Sequence, residues 1–335
     1  MAVISTIVLY DKKPIRKNGI ALNNNVLITG VNGFVGSHMA AKLLKNGHRV
    51  VGIGRDTTPS TGLEGLYEYF ACDLTIPSDV NKLMPQLRAI DVIIHLAGIA
   101  TTNNSPLESA SVLRTNVEVH RILYQALLDI KSKVRIIAVS TGLVYEQSSP
   151  IPFTESSALM PDTVTTNPYI RSKLQVETVA QEYRDKGLDI YTVRPFNHTG
   201  PGQGLGFFVP DQVAKIKAAK ASGAHMELGD AFDFWRDFTD VRDVCNAYRL
   251  LVTTDAKKLT ATTYNIASGT PVYGRDLFRM LAKELDFTDY SLSADDGSAS
   301  PVPRICGDAN LLRKDTAWGL GIGLEQTIRD YITGL

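Results

Sequence analysis

The chain has 335 residues, enough for one large α/β domain or for a nucleotide-binding domain carrying a smaller lobe. Hydrophobic residues make up 44% and charged residues 21%, the balance of an ordinary soluble protein. Lysine plus arginine equals aspartate plus glutamate at 35 each, so no long-range field draws the chain to nucleic acid or to an anionic membrane, and an anionic ligand has to be held by a local cluster.

Residues 1–24 include a short apolar run, AVISTIVLY, without a basic start or a small-residue cleavage site and far too short to cross a bilayer. They read as an extra strand or tail. From Val26 the texture alternates: strands are expected at Val26–Thr29, Arg49–Ile53, Glu68–Ala71, Asp91–Leu96, Arg135–Ser140 and Asp189–Val193, each a near-continuous apolar run. Helices are expected between them at Val35–Lys45, Ser78–Leu87, Leu107–Ile130 and Asn167–Lys186. That order predicts an α/β fold, a Rossmann-type doubly wound parallel sheet covered on both faces. After Arg194 the segment RPFNHTGPGQGLGFFVP is rich in Gly and Pro, and shorter elements follow: helices at Asp211–Ala221, Val241–Thr253, Gly274–Leu285 and Leu324–Tyr331, short strands at Met226–Leu228 and Thr263–Ala267, and a loop over 293–303. The expected organisation is an N-terminal extension (1–24), a nucleotide-binding domain (25–194, to which later segments are free to return) and a smaller C-terminal substrate-binding lobe (195–335). Cys72, Cys245 and Cys306 are odd in number and widely spaced, which suits structural thiols in a reduced, cytoplasmic compartment.

The stretch NNVLITGVNGFVGSHMAAKLL sets Gly30, Gly33 and Gly36 between an apolar strand and an amphipathic helix. Glycine there permits a tight turn, close approach of backbone N–H groups to a pyrophosphate, and tight packing of helix on strand. The turn residues Gly30, Asn32, Gly33, Phe34, Val35 and Gly36 are therefore candidate cofactor contacts. An NAD site usually carries a carboxylate at the end of the second strand. Here that position is Gly54, followed by Arg55, a guanidinium suited to a 2′-phosphate, so NADP(H) is favoured and NAD(H) remains possible because Asp56 stands one or two residues late. Asp73 and Leu74 in ACDLT lie where a carboxylate can accept from an adenine amino group, and Leu96, Ala97 and Gly98 end the fourth strand with residues small enough for a cofactor to lie against the backbone. His95 reads as a strand residue rather than a catalyst.

At the end of the fifth strand comes AVSTGLVYEQ, and after a polar loop NPYIRSKLQVE. Tyr169 and Lys173 stand four apart at a helix opening, on one face. A strand-end hydroxyl, the tyrosine and the lysine can converge at the carboxyl edge of the sheet. Lys173 is expected to favour the phenolate of Tyr169 and so make it a usable acid or base.

With these residues in place the chain resembles the extended short-chain dehydrogenase/reductase family from about Val26 nearly to its end, through the Gly30/Gly33/Gly36 turn, CDL, HLAG, STGLVY and YIRSK. The resemblance selects Thr141, four before Tyr145, as the catalytic hydroxyl beside Tyr169 and Lys173, with Ser140 a neighbour. Glu146 stands where that segment commonly has Gly. VRPFNHTGPGQGLGFFVPDQVAKI and RDFTDVRDVCNAY resemble reductases of GDP-linked sugars, which implies substrate contacts at Asn197 and at Arg236, the latter on pyrophosphate. Such relatives commonly carry an arginine where this chain has Ser298, so Arg304 is expected to replace it or the substrate to differ. The resemblance implies NADPH-dependent reduction of the 4-keto group of a nucleotide-linked 6-deoxy-hexulose, without a metal, in a homodimer formed through the Leu107–Ile130 and Asn167 helices. A 4,6-dehydratase would want an acid where Gly142 and Leu143 stand, and an epimerase-reductase a cysteine near Leu143. A 4-epimerase retaining NAD is the main enzymatic alternative, and a non-catalytic NADP(H)-sensing or scaffold protein on the same fold is the alternative from another class.

Overall fold

The apolar runs become a seven-stranded, wholly parallel sheet. Its strands in chain order are β1 (Asn25–Thr29), β2 (Arg49–Gly54), β3 (Glu68–Ala71), β4 (Val92–His95), β5 (Arg135–Val139) and β6 (Asp189–Pro195), joined by a later strand, Thr263–Ile266. The computed structural model describes residues 16–17, 20–21, 24–100, 106–292 and 304–334. Most of the expected N-terminal extension, the expected loop over 293–303 and Ser298 within it lie outside the described residues. Arg16–Lys17 pairs antiparallel with Ile20–Ala21.

β1 lies between β2 and β4, with β3 at one edge; β5, β6 and Thr263–Ile266 continue the other way. The chain therefore reverses direction between β1 and β4, and loops on either side of that point leave a crevice at the carboxyl edge of the sheet. One face is covered by α1 (Phe34–Lys45) and a later helix, Val241–Thr253. Met39, Ala40 and Leu43 pack there with Val244, Cys245, Tyr248 and Leu251. The other face carries α2 (Pro77–Lys82), α3 (Met84–Leu87), α4 (Pro106–Asp129) and α5 (Pro168–Asp185), burying Leu123, Tyr124, Leu127, Val179 and Tyr183. Each fully buried aliphatic side chain contributes about 1.5–3 kcal/mol to these layers. Among the described residues no helix is long and apolar enough to cross a membrane.

The expected Ser78–Leu87 helix is two pieces that break at Leu83, because Pro85 has no N–H to donate and its ring blocks a carbonyl one turn back. Ser140 falls just outside β5.

The smaller lobe is built from β7 (Asn197–Thr199), α6 (Phe208–Ser222), β8 (Met226–Leu228), β9 (Trp235–Asp240), α7 (Val241–Thr253), β10 (Thr263–Ile266), β11 (Pro271–Tyr273), α8 (Gly274–Glu284), β12 (Tyr290–Leu292), β13 (Arg304–Ile305), α9 (Asn310–Thr316) and α10 (Leu324–Thr333), of which α7 and β10 return to the main sheet. Val209, Ile216, Phe238, Leu277, Phe278, Leu281 and Ile328 form its core. The sequence pattern gives no sign of β7, β9, β11, β12 or β13, and β9 is the longest of these. Four of the six residues in its sequence WRDFTD are polar, and what makes it a strand is long-range pairing, with β7 and β13 parallel and β11 antiparallel.

Asp237, in the middle of β9, is fully buried. Its carboxylate accepts from Ser268 N at 2.8 Å, Ser268 Oγ at 2.6 Å, Gly269 N at 2.9 Å and Gly307 N at 3.2 Å, which ties β9 to the turn after β10 and to the segment after β13. Replacing it with Ala strips several buried donors of their acceptor at once. We expect Asp237→Ala to cost at least ~3 kcal/mol, read as a lowered urea midpoint at an unchanged slope.

Candidate active site

The glycine turn opens directly from β1. Gly30 has φ 70°, a conformation that side chains rarely adopt, and a Cβ there would lie 3.0 Å from Ala97 N. At Gly36 a Cβ would lie 2.2 Å from the Gly30 carbonyl oxygen, so α1 can begin this close to the turn only with glycine. Gly33 is the N-cap of α1, no side chain caps it, and no acid occupies the first turn. The first N–H groups of a twelve-residue helix therefore face the crevice together with its positive dipole end, a fit for a pyrophosphate. Leu96 and Ala97 flank the turn half-buried, Gly98 is exposed, and a Cβ on Gly98 would meet Asn116 Oδ1 at 3.0 Å.

Gly54 ends β2, and the space over it is filled: a Cβ there would meet the Tyr69 hydroxyl at 2.6 Å. Arg55 is exposed beside it. Asp56 turns to the glycine loop, where Asn32 Nδ2 donates to its Oδ2 at 2.7 Å, while Tyr69 donates to its backbone oxygen at 2.8 Å. Both Arg55 and Asp56 thus border the same end of the crevice. Asp73 is half-buried and its Oδ1 accepts from Thr75 N at 2.9 Å and Thr75 Oγ1 at 2.7 Å, bonds that hold its carboxyl below the usual carboxylate range. Leu74 is buried.

α5 begins as its sequence dictates: Asn167 caps it, accepting from Tyr169 N at 3.0 Å and Ile170 N at 3.2 Å, and Pro168 occupies the first helical position, where no N–H is needed. Tyr169 is therefore delivered at the helix entrance, pointing to the end of β5. Thr141 stands there, buried, with its hydroxyl accepting from Leu143 N at 3.3 Å and near enough to the Tyr169 phenol to lower its pKa. The two expected reacting groups are thus neighbours at the carboxyl edge of the sheet.

Lys173 is one turn further and buried, but its Nζ donates to Val139 O at 2.7 Å and lies 5.8 Å from the Tyr169 ring centroid. The expectation that Lys173 makes Tyr169 acidic is corrected here. Burial pushes the phenol up to about 12, partly offset by the Thr141 hydrogen bond, and burial pulls Lys173 down to about 8 against the raising effect of Glu177. Desolvation outweighs the neighbouring charge because the ammonium is spent on a carbonyl rather than aimed at the phenol oxygen.

Asn116 was missed in the sequence, where a lone Asn inside the long helix carries no signal. Fully buried, it accepts from Ile99 N at 2.7 Å and donates to Ile99 O at 3.0 Å and Ser172 Oγ at 2.9 Å, binding the loop after β4 to α5. His95 is a strand residue, hydrogen-bonded to Thr29 Oγ1 at 2.6 Å, with its ring pulled down to about 3 by burial and so neutral.

In the smaller lobe the register sets Asn197 opposite Phe238, so Asn197 and Arg236, two residues from Phe238, share one face. Arg236 is half-buried, donates to Trp235 O at 3.0 Å and lies 5.5 Å from the Phe234 ring. The carboxylates next to it are committed elsewhere, Asp237 as above and Asp240 to Arg242 and Thr327. Arg304 pairs in register with Trp235 and stacks 5.0 Å over its ring. It therefore lies on the face opposite Arg236, and the structure does not bring these two arginines together.

The model of the NAD dependent epimerase/dehydratase family matches residues 26–267. The chain belongs to this family. Among its curated relatives, GDP-6-deoxy-D-mannose reductase of Pseudomonas aeruginosa is 31% identical over 93% of this chain and 97% of its own length. GDP-6-deoxy-D-talose 4-dehydrogenase of Aggregatibacter actinomycetemcomitans is 29% identical over 86% and 89%. Epimerases are similar too: a UDP-glucose 4-epimerase of Cyamopsis tetragonoloba is 26% identical over 93% and 94%. A solved structure of RMD from Pseudomonas aeruginosa complexed with NADPH superposes with a TM-score of 0.76 at 28% identity, covering 93% of this chain and 98% of that one. The family places a nicotinamide dinucleotide in this fold, and the glycine turn, the uncapped α1 terminus and the small residues after β4 fit one.

Proposed function

We propose that the chain reduces the 4-keto group of a GDP-linked 6-deoxy-hexulose, with NADPH, to a GDP-6-deoxy sugar. What supports this reading is the placing of Thr141 and Tyr169 as neighbours at the carboxyl edge of the sheet beside a glycine turn that fits a pyrophosphate, in a chain similar along nearly its whole length to a GDP-6-deoxy-D-mannose reductase. The nicotinamide cofactor, when bound, supplies the hydride. Tyr169, protonated at neutral pH, donates its proton to the oxygen on which negative charge develops, and Thr141 orients that oxygen and stabilises it. Lys173 holds the end of β5 through the Val139 carbonyl and offers its remaining N–H bonds to the nicotinamide ribose. Gly30, Asn32, Gly33, Phe34, Val35 and Gly36 cradle the pyrophosphate; Asp73, Leu74, Leu96, Ala97 and Gly98 border the dinucleotide; Asn197 and Arg236 hold the nucleotide-sugar. NADPH oxidation measured against a panel of GDP-, UDP- and dTDP-linked keto-sugars tests the reading, and turnover of UDP- or dTDP-sugars only would sink the GDP assignment.

One observation favours a second reading, a 4-epimerase using NAD: the Asp56 carboxylate sits on Asn32 of the glycine turn, within the region where an acid serves a ribose diol. The two readings separate at Arg55. Arg55→Ala is expected to weaken NADPH binding by about 10–100-fold, the worth of one charge-assisted contact to phosphate, and to leave NADH binding unchanged. Equal effects on both cofactors in a fluorescence titration would favour the NAD reading.

A further inference from the structure

Two residues outside the reacting set meet at one buried carboxylate directly beneath it. Ser140 immediately precedes Thr141, and Glu177 follows Lys173 by four residues on α5, hence on the same face. Ser140 Oγ donates to Glu177 Oε1 at 2.5 Å. The same oxygen accepts from Arg194 Nε at 2.9 Å and Oε2 from Arg194 Nη2 at 2.6 Å, a bidentate pair whose side chains are only 6% and 11% exposed for Arg194 and Glu177. Arg194 continues the chain by donating to the Tyr145 hydroxyl at 2.9 Å, which donates to Asn265 Oδ1 at 2.6 Å. Asn265 in turn donates to Phe153 O and Asp308 O at 2.9 and 3.2 Å. The end of β5, the helix of Tyr169 and Lys173, strand β6 and the returning strand β10 are thereby tied to one another by polar bonds that the reaction does not use.

We propose that Ser140 and Glu177 are positioning residues: the Glu177 carboxylate, pinned by Arg194, holds the end of β5 against α5 so that Thr141 and Tyr169 stay side by side, and it is the counter-charge of the Lys173 ammonium. This rests on the roles proposed above for Thr141, Tyr169 and Lys173. The groups facing Lys173 agree with it. His95 from β4 and His120 from α4 are both buried and pushed toward the neutral form, Tyr169 on its own helix is held protonated, and the Arg194 cation is engaged by Glu177. Among the described residues the acid acting on Lys173 is Glu177. The hydroxyl of Ser140 also explains why a serine stands before Thr141 although Thr141 is the residue beside Tyr169.

The test compares Ser140→Ala, Glu177→Gln and the double variant, using steady-state NADPH oxidation and NADPH fluorescence titrations between pH 6.5 and 9. Ser140→Ala should lower kcat about 10-fold with KM and the pH 7 NADPH affinity within about twofold, since displacing a catalytic group by less than an ångström costs turnover rather than binding. Glu177→Gln should lower kcat further and bring the alkaline fall in both kcat and NADPH affinity about one pH unit lower, because Lys173 then sheds its proton earlier. The double variant should be no worse than Glu177→Gln alone, as both changes act through one carboxylate. If Glu177→Gln does not fold, because it leaves the Arg194 charge buried without its partner, Arg194→Lys replaces it and should show the same fall in kcat. Unchanged kcat in Ser140→Ala, multiplying single effects, unchanged kcat in Arg194→Lys or an unmoved alkaline fall in Glu177→Gln would each overturn the inference. A wild type inactive on every keto-sugar counts against the proposed function alone, and the NADPH titrations still decide this one.

Discussion

Replacing Tyr169 by Phe is expected to lower kcat by about 10²–10⁴-fold, the worth of a positioned proton donor, while NADPH affinity and the KM for the nucleotide-sugar change little. The reason is positional. Asn167 and Pro168 start α5 so that the phenol hydroxyl arrives at Thr141, and burial holds the proton on it, up to about 12. A donor that stays protonated at neutral pH suits a step in which an oxygen gains negative charge. Phe keeps the ring and its packing and removes only the O–H, so a thermal unfolding curve close to that of the wild type should accompany the loss. Turnover within tenfold of wild type would remove Tyr169 from the mechanism, and a parallel fall in NADPH affinity would show that the side chain binds rather than reacts.

Gly36→Ala is expected to abolish dinucleotide binding in practical terms, weakening it by about 100-fold or more, and to destabilise the fold by about 1–3 kcal/mol. A Cβ at this position would lie 2.2 Å from the Gly30 carbonyl oxygen and 2.8 Å from both Cα and O of Val31. All three are backbone atoms, so no rotamer change relieves the overlap; α1 has to move away from the turn and carries its N–H groups out of reach of the pyrophosphate. Gly33→Ala is the control for stability alone: its Cβ would meet only the Gly30 carbonyl at 3.2 Å and the residue is exposed, so the fold should stay near wild type while the added methyl still crowds the pyrophosphate. Fluorescence titration with NADPH and urea unfolding on both variants check this, and wild-type affinity in Gly36→Ala would show that the turn is not the pyrophosphate site.

Both expectations rest on features that are short in sequence. The glycine turn, the Asn-Pro start of α5 and the four-residue spacing of Tyr169 and Lys173 each act within one turn or one strand–helix junction, and local geometry is what composition and spacing report. The central parallel strands were legible for a related reason: strands covered by helices on both faces have to be apolar along their whole length. Family membership follows from the same segments together.

What the sequence by itself determined is the identity of the reacting groups and the order of the elements that carry them. Tertiary structure decided how those groups are poised. Lys173 is four residues from Tyr169, yet its ammonium is claimed by Val139 O, 34 residues away, and burial sets the phenol's acidity. Ser140 reads as a bystander until a carboxylate 37 residues distant accepts its hydrogen bond. β9 reads as a polar run until Asp237 collects donors from Ser268, Gly269 and Gly307. Arg304, a plausible partner for Arg236 by sequence, is separated from it by strand alternation alone. Direction of a buried polar side chain is set by whichever distant partner satisfies it at least cost, and that choice is absent from any local window of the chain.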